Sequence, residues 1–475
     1  MSEQNRRPKR TLSVFSLVMI TTGIITSILA APSMAEYGFS MVFIYFLVAV
    51  VFLLPSALIS AELATGWPED GGVYVWVKEA YGERFGFVAV WQQWIENVIW
   101  LPSILTVIVV AATYGFDPSL KDNNWFVFAA VNVVFWLLTL TNLFGMRTSS
   151  TVATICTIFG TILPILFMFT LAILYVSWGN PSQCTIDWAH VIPDLGDTDK
   201  LSFIVVSFLT FAGIEASASN AASAKNPRRD YPIAIIVSAT LALVLVTLIA
   251  LSIAIVVPLD KINLDAGIMQ AIEVMFTGFG MKAFVPIAGL VIALGIIGEV
   301  NNWIPAPTRG LLVAGLDGTL SKFWQKENKY AVHQRILVGQ GLIVSAISTI
   351  YLFFKVEIAF WLMTVVPTML YIVMYFLMFG AAVRLRYSHP KVPRRYRVPC
   401  GNYGIWFLAI MGTVAGAFAI IFAFNPPGNV PDHLRPAYIS VVALGFVIFT
   451  IMPFVIFSFR RSEWRGAELK SEKKN

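Results

Sequence analysis

Residues 211–232 read FAGIEASASNAASAKNPRRDYP: an acid, a run of Gly, Ala, Ser and Asn, then a basic cluster. In a soluble domain such a stretch would lie on the surface. The rest of the chain rules that setting out, because 57% of its 475 residues are apolar and 13% charged, against roughly 45–50% and about 25% in an average soluble domain. Runs with few charges recur from end to end, among them 39–60, 233–257 and 437–459, each near the ~20 residues that cross a hydrocarbon core. Glu215 therefore falls inside a membrane span. An ionised carboxylate there costs about 2.5–3.5 kcal/mol on insertion scales and normally faces a cavity or a partner. A helix-packing hydrogen bond is the alternative reading, and the small residues Ala216 to Ala224 suit it by letting helices approach closely.

Counting apolar runs between charged or Pro/Gly-rich breaks gives an all-α membrane protein of twelve transmembrane helices, centred near residues 22, 51, 98, 133, 164, 212, 245, 293, 345, 371, 414 and 448. An even number places both termini on one side. With that side cytoplasmic, 27 of the 33 Lys and Arg fall in inside segments and six (Lys121, Lys200, Lys261, Lys282, Lys355 and Arg435) outside, which is the positive-inside bias. This distribution accounts for the net charge of +6 without a nucleic-acid partner; lipid and small molecules are the partners implied, with the oligomeric state left open. The first run, Leu12 to Ala31, follows the basic arm Arg6 to Arg10 and resembles a signal peptide, but a chain of many spans needs none, and it is read as helix one. Cys156, Cys184 and Cys400 have no motif spacing, the four histidines are scattered, and neither a metal nor a cofactor is implied. No H-E-x-x-H motif or nucleophile elbow suggests an enzyme, and no ring of charge suggests a channel. A short amphipathic helix is expected in GWPEDGGVYVWVKEAYGERFG (66–86) on the inside, and another over 263–277 outside.

Helix one carries its own weak point, VMITTGIITSILAAP (18–32), so helices one and six are both interruptible. They occupy equivalent positions if residues 13–176 and 201–384 form a 5+5 inverted repeat (helices 1–5 and 6–10), with 403–459 as the last two helices of a single transporter domain. Paired broken helices mark a transporter's midplane site. There, free N–H groups attract a carboxylate and free C=O groups an amine, and an amino acid carries both. Glu96-Asn97, in WQQWIENVIW, is open between site and packing. Glu299 and Trp303, four apart, share a helical face, and Tyr371 and Tyr375 repeat that spacing. A carboxyl removed from water can carry a proton, which makes Glu215 and Glu299 candidates for coupling.

ELATGWPEDGGVYVWVKEAYGERFGF (62–87) resembles the signature after helix two of the amino acid–polyamine–organocation (APC) superfamily, and GIEASASNAASAKNPRRDYP (213–232) its sixth helix and following loop. Gly213 to Ser217, Asn226 to Pro232 and INLDAGIMQ (262–270) are closest to the glutamate/GABA antiporter branch. The resemblance covers most of the chain in order. It implies breaks at Ile25-Thr26-Ser27 and Ala212-Gly213-Ile214. By the same resemblance Trp303 covers the substrate, Asn97 stands beside it, Glu215 serves gating and proton coupling, and Glu299, Tyr371 and Tyr375 line pocket or pathway. Leu29-Ala30-Ala31 departs from the polar and aromatic residues of glutamate/GABA exchangers, and Leu209 from the tryptophan of arginine exchangers. Thr154 stands where many relatives have lysine, which leaves sodium dependence open, and Arg460 to Asn475 is too short for a C-terminal plug. The expectation is an amino acid antiporter of the cytoplasmic membrane, glutamate/GABA-like or for a related neutral or acidic amino acid, with a proton- or sodium-coupled symporter as the alternative.

Overall fold

The computed structural model describes residues 12–465, apart from 70, 145–153, 155–156, 186, 189–190, 194–195, 197–199, 218–224, 331 and 429. Among these residues the chain is helical and no β-strand forms, as expected where lipid offers no hydrogen bonds and each span must satisfy its own backbone. Helix one is split into α1 (Val14–Ile25) and α2 (Ala31–Ala35). There follow α3 (Gly38–Gly66), the short α4 (Val73–Tyr81), α5 (Glu83–Thr113), α6 (Asn124–Leu143) and α7 (Ile158–Ser177). The second half comprises α8 (Leu201–Thr210), α9 (Pro227–Val256), α10 (Gly267–Gly278), α11 (Val285–Trp303), α12 (Ala306–Leu316), α13 (Gln334–Ser348) and α14 (Val356–Ser388). The chain closes with α15 (Gly401–Phe422) and α16 (Arg435–Ser458). Among the described residues ten helices are long and apolar enough to cross a membrane, and two shorter apolar helices, α1 and α8 with its extension to Ser217, bring the number to the twelve expected. The amphipathic elements expected over 66–86 and 263–277 are α4 and α10.

Local sequence accounts for the irregularities. Ser13 caps α1, its Oγ accepting from Ser16 N at 3.2 Å, and Asn123 caps α6 through Phe126 N at 3.1 Å, each satisfying one of the free N–H groups of a first turn. Wide π-turns at Ala49–Leu53 in α3 and Ile158–Ile162 in α7 each come just before a proline, Pro55 and Pro164. A proline ring collides with the carbonyl four residues back, and the wider turn absorbs that collision. In α16, Pro453 leaves the Phe449 carbonyl without its helical donor, and Trp91 Nε1 (3.2 Å) and Gln92 Nε2 (3.3 Å) of α5 supply two.

The packing follows burial. In the apolar window of each span, 94% of α5 and 83% of α14 are buried, against 11% of α16 and 17% of α7, so α5 and α14 form the centre of the bundle and α16 and α7 face lipid. These two central helices pack extensively on each other, and α5 also receives α4 and α11. The polar residues of α5 and α14 thereby point into the protein, where a functional site can use them.

Candidate functional site

The two interrupted helices set the geometry. Helix α1 ends at Ile25, and the chain resumes helix only at Ala31. Pro32, in the first turn of α2, cannot donate to Ile28 and would clash with its carbonyl, so no continuous helix can pass. Residues 26–30 are non-helical, a longer break than Ile25-Thr26-Ser27, and Ile25 itself is the last helical residue, fully buried as core. In α8 the helix stops at Thr210. Gly213 then adopts φ +94°, a left-handed conformation that glycine alone takes without strain, before Ile214 starts a single 3₁₀ turn to Ser217. The N–H groups of Ser27, Ile28 and Ile214 find no acceptor among the described residues. Most of the small-residue run after Glu215 lies outside the described residues, as does the basic arm before Leu12.

Glu215 sits directly after the second break, buried. Its Oε1 accepts from Tyr371 Oη (2.6 Å) and Gln93 Nε2 (2.9 Å), and its Oε2 from Tyr375 Oη. The Tyr375 hydroxyl also accepts from Gly213 N at 2.9 Å. One hydroxyl thus joins the carboxyl to the backbone of the break, and α14 and α5 together hold what α8 presents. No lysine or arginine is among these partners. The spacing of Tyr371 and Tyr375 brings both rings to one face, 5.3 Å apart.

Trp303 ends α11 against the same break. A Cβ on Gly213 would lie 2.9 Å from Trp303 Cη2 and 3.6 Å from Ile24 Cγ2, so the indole and the end of α1 both press on the break in α8. Its ring meets Trp100 of α5 edge to face at 6.2 Å. Along α5, Gln93, Asn97 and Trp100 recur at i, i+4 and i+7, one stripe running from Glu215 to Trp303. Asn97, in the middle of that stripe, is buried, and neither its Oδ1 nor its Nδ2 has a partner among the described residues; the same holds for the hydroxyls of Thr22 and Thr26 in and beside the first break. Buried polar atoms are nearly always bonded, so these concentrate unfilled hydrogen-bonding capacity beside the breaks. Glu96 is buried close to Glu215 and the two tyrosines.

Glu299 is placed apart from this group. Although it is one turn before Trp303, it lines a cavity of about 30 Å³ with Ile28, Gly160, Ile165, Ile268 and Gly295. The α7–α11 crossing there is tight, since a Cβ on Gly160 would lie 3.4 Å from Gly295 Cα. The shared face of Glu299 and Trp303 is real, but helix twist between the two residues sends them to different neighbours.

Sequence reading missed three features. Gln93 and Trp100 sit inside the quoted WQQWIENVIW, and the i, i+4, i+7 pattern with Asn97 was the available signal. The third is an ion cluster: Glu62 of α3 accepts from Arg386 Nε (2.6 Å) and Nη2 (2.5 Å) of α14 and from Val398 N (2.8 Å), with Arg394 Nε at 3.3 Å. Arg386 and Arg394 belong to clusters assigned to topology alone. The signal for a second role was Glu62, a lone acid in the last turn of an apolar span.

Among the described residues no group of His, Cys, Asp or Glu is arranged to hold a metal. The sequence matches the amino acid permease family over residues 12–449. An uncharacterized transporter of Legionella pneumophila is 35% identical over 448 residues, 94% of this chain and 96% of its own length. A glutamate/gamma-aminobutyrate antiporter of Lactococcus lactis is 29% identical over 456 residues, 94% of this chain and 90% of that one. A crystal structure of a mutant manganese transporter from Eremococcus coleocola aligns with a TM-score of 0.54 at 12% identity, covering 94% of each chain, a likeness of fold.

Proposed function

The chain belongs to the amino acid permease family of the APC superfamily, a multi-pass membrane transporter of amino acids or polyamines, and from that premise we propose that it is an amino acid antiporter working by alternating access. The observation that carries this reading is the convergence of two broken helices on Trp303, with free N–H groups at both breaks and the unpaired side chain of Asn97 beside them. A half-helix N-terminus suits a substrate carboxylate. Ser27 and Ile28 N–H hold that carboxylate, Asn97 Oδ1 and the carbonyls of the α8 break take the amino group, Tyr371 lines the pocket, and Trp303 packs over the occupied site. Thr26, Ala212, Gly213 and Ile214 shape the backbone around it.

Glu215 couples occupancy to opening. Its carboxyl reaches the Gly213 N–H through a single Tyr375 hydroxyl, so a proton on or off Glu215 changes what that hydroxyl offers the break. Glu299, in its apolar crevice between α7, α11 and the first break, is a second proton carrier on the moving parts. Because Glu96 is buried near Glu215, and the described partners of Glu215 are Gln93, Tyr371 and Tyr375 rather than a cation, a substrate with an anionic side chain enters more readily when the two acids are protonated. The glutamate/GABA class, or a related neutral or acidic amino acid, fits this arrangement. The Lys- and Arg-rich end of the bundle, with both termini, faces the cytoplasm, and residues 13–176 and 201–384 act as the two inverted repeats.

The test is counterflow in proteoliposomes loaded with an amino acid mixture, with labelled glutamate, GABA, glutamine and arginine offered at pH 5 and 7. Saturable exchange of glutamate, GABA or glutamine, with glutamate faster at pH 5, supports the proposal. Uptake into empty vesicles as fast as into loaded ones sinks the antiport reading, and arginine as the preferred substrate sinks the substrate class.

A further inference from the structure

Away from the breaks, α14 and α15 diverge towards the end of the bundle that bears the Lys/Arg-rich loops and open a groove of about 810 Å³, closed on one side by Tyr81 of α4. It runs along α14 from Phe376 to Ser388 and along α15 from Val414 to Trp406. At 1.5 Å per residue that is roughly 18 Å along α14 and roughly 12 Å along α15, close to the ~15 Å depth of one leaflet of a ~30 Å hydrocarbon core. The floor is low because Gly380 and Ala409 form it. A Cβ on Gly380 would lie 2.9 Å from Tyr81 Oη, so any larger residue there closes the groove from beneath. Its outer wall is apolar and open to lipid, with Ile410 and Val414 about half exposed.

The groove is apolar in its depth and cationic at its rim. Arg384 is exposed there and stacks over the Tyr81 ring at 5.0 Å. Among the described residues its guanidinium has no carboxylate and no hydrogen-bond acceptor, and the Tyr81 hydroxyl likewise has no partner. Two residues on, Arg386 points the opposite way around the helix and is fully engaged by Glu62. The same helix therefore carries one arginine that serves the fold and one that is unspent. Tyr387 and Trp406 complete the rim, joined by a bond from Trp406 Nε1 to Tyr387 Oη at 3.1 Å; such rings settle at the headgroup level of a membrane. Among the described residues no acidic side chain lines the groove.

We infer that this groove is a binding site for an anionic phospholipid, with its phosphodiester on Arg384 and the Tyr81 hydroxyl and one acyl chain lying along Gly380, Ala409 and Thr413. Charge complementarity selects the headgroup: a planar guanidinium with free donors matches two phosphate oxygens, and basic pockets between transmembrane helices take acidic headgroups. A single leaflet's depth selects a lipid over a soluble anion. Because the site lies on α14, two turns from Tyr375, the bound lipid braces the helix that holds Glu215.

The test uses the purified full-length protein, delipidated in a mild non-ionic detergent, with bound lipid read by native mass spectrometry after titration with phosphatidylglycerol, phosphatidylethanolamine of matched chains, or inorganic phosphate. Phosphatidylglycerol is expected to bind more tightly than phosphatidylethanolamine, and Arg384→Gln to weaken it about fivefold, which is about 1 kcal/mol, while leaving phosphatidylethanolamine unchanged. Ala409→Phe, which fills the groove without touching the charge, is expected to weaken both lipids, and Arg384→Lys, which keeps the charge but loses the planar fork, to retain only part of the preference. Equal affinity for the two lipids, an Arg384→Gln protein that binds phosphatidylglycerol as the parent does, or displacement of the lipid by inorganic phosphate would each overturn the assignment. These readouts need no transport, so they stand or fall separately from the antiport proposal.

Discussion

Replacing Tyr375 with Phe removes one oxygen and two hydrogen bonds, one given to Glu215 Oε2 and one accepted from Gly213 N. Interhelical hydrogen bonds in membrane proteins average about 0.6 kcal/mol and reach about 1.7, but both of these are special. One ends on a carboxyl, and such bonds contribute about 1.5–3 kcal/mol when the acceptor is charged; the other, once lost, leaves a buried N–H unpaired at a cost of about 1–3 kcal/mol. Together they give about 2.5–6 kcal/mol. Tyr371→Phe removes a single bond to Oε1, which keeps Gln93 at 2.9 Å, and should cost about 1.5–3 kcal/mol for that bond to a carboxyl, without the further ~1–3 kcal/mol of an orphaned N–H. The expected order is therefore Tyr375→Phe well above Tyr371→Phe, in loss of counterflow rate and in loss of thermal stability in detergent. Tyr375→Phe should also flatten the pH dependence of exchange, since the path from Glu215 to the break is gone. If Tyr371→Phe is the more damaging of the two, or if Tyr375→Phe exchanges at the parent rate with the parent pH profile, the link between Glu215 and the break is wrong.

The remaining predictions concern the break, the ion cluster and the far loop. Gly213→Ala places a Cβ at φ +94°, 2.9 Å from Trp303, and should abolish exchange while the protein still reaches the membrane; parent-like affinity for any exchanged substrate would remove Trp303 from the pocket. Glu62→Gln leaves Arg386 and Arg394 buried without their acid and should lower stability by about 3–5 kcal/mol, read as a fall in melting temperature, with Glu62→Gln/Arg386→Gln milder than the single change; additive losses would refute the pairing. Asp265, outside the spans, is pushed up to about 7 by burial first and then by Glu357, with Lys121 acting in the opposite sense. The folded state then binds more protons than the unfolded between pH ~4 and ~7, so Asp265 destabilises as pH rises through that window. Asp265→Asn should match the parent at pH 4 and exceed it in melting temperature at pH 8, and a parent curve that does not fall faster than the variant's would contradict this.

The spans were legible because hydropathy acts on twenty residues at a time and charge bias on whole loops, so single errors average out. The breaks were legible for a local reason: Pro32 forbids a bond to Ile28, and Gly213 permits a backbone turn that other residues resist. Their lengths were less so. Residues 26–30 are non-helical because Pro32 acts four residues back, an effect that a motif centred on Thr26 does not reveal. Glu215, Tyr371 and Tyr375 could be named from sequence, the acid because it lies in a span and the tyrosines because they share a face and match pocket positions by resemblance, but that the tyrosines donate to Glu215 was not legible there. The stripe that holds Gln93 was visible in WQQWIENVIW, but its bond to Glu215 was not, because the two residues lie 122 positions apart and only packing decides which side of α5 meets α8. Glu299 shows the same limit from the other side: spacing paired it correctly with Trp303 on a helical face, but the neighbours of that face, Gly160 and Ile28, are contributed by distant segments.

Helix α14 ties these observations into one mechanical argument. Within 16 residues it holds Glu215 through Tyr371 and Tyr375, lays Gly380 and Arg384 in the lipid-facing groove, and locks Arg386 onto Glu62 of α3. A rigid helix transmits a tilt to all of these contacts at once. Because the Glu62 cluster carries a buried charge pair, it is the costliest of them to break, and under the alternating-access proposal it is the expected pivot, with the end held by the hydrogen bonds of Tyr371 and Tyr375 as the end expected to move. On this reasoning a weakened pivot, as in Glu62→Gln, should speed opening at the break even as it lowers stability. The measurable consequence is an accessibility change at Ser27→Cys, introduced into a background lacking Cys156, Cys184 and Cys400: thiol modification from the Lys/Arg-rich side should quicken when Glu62 is neutralised. Unchanged modification with lowered melting temperature would show that the cluster stabilises the fold without governing the site.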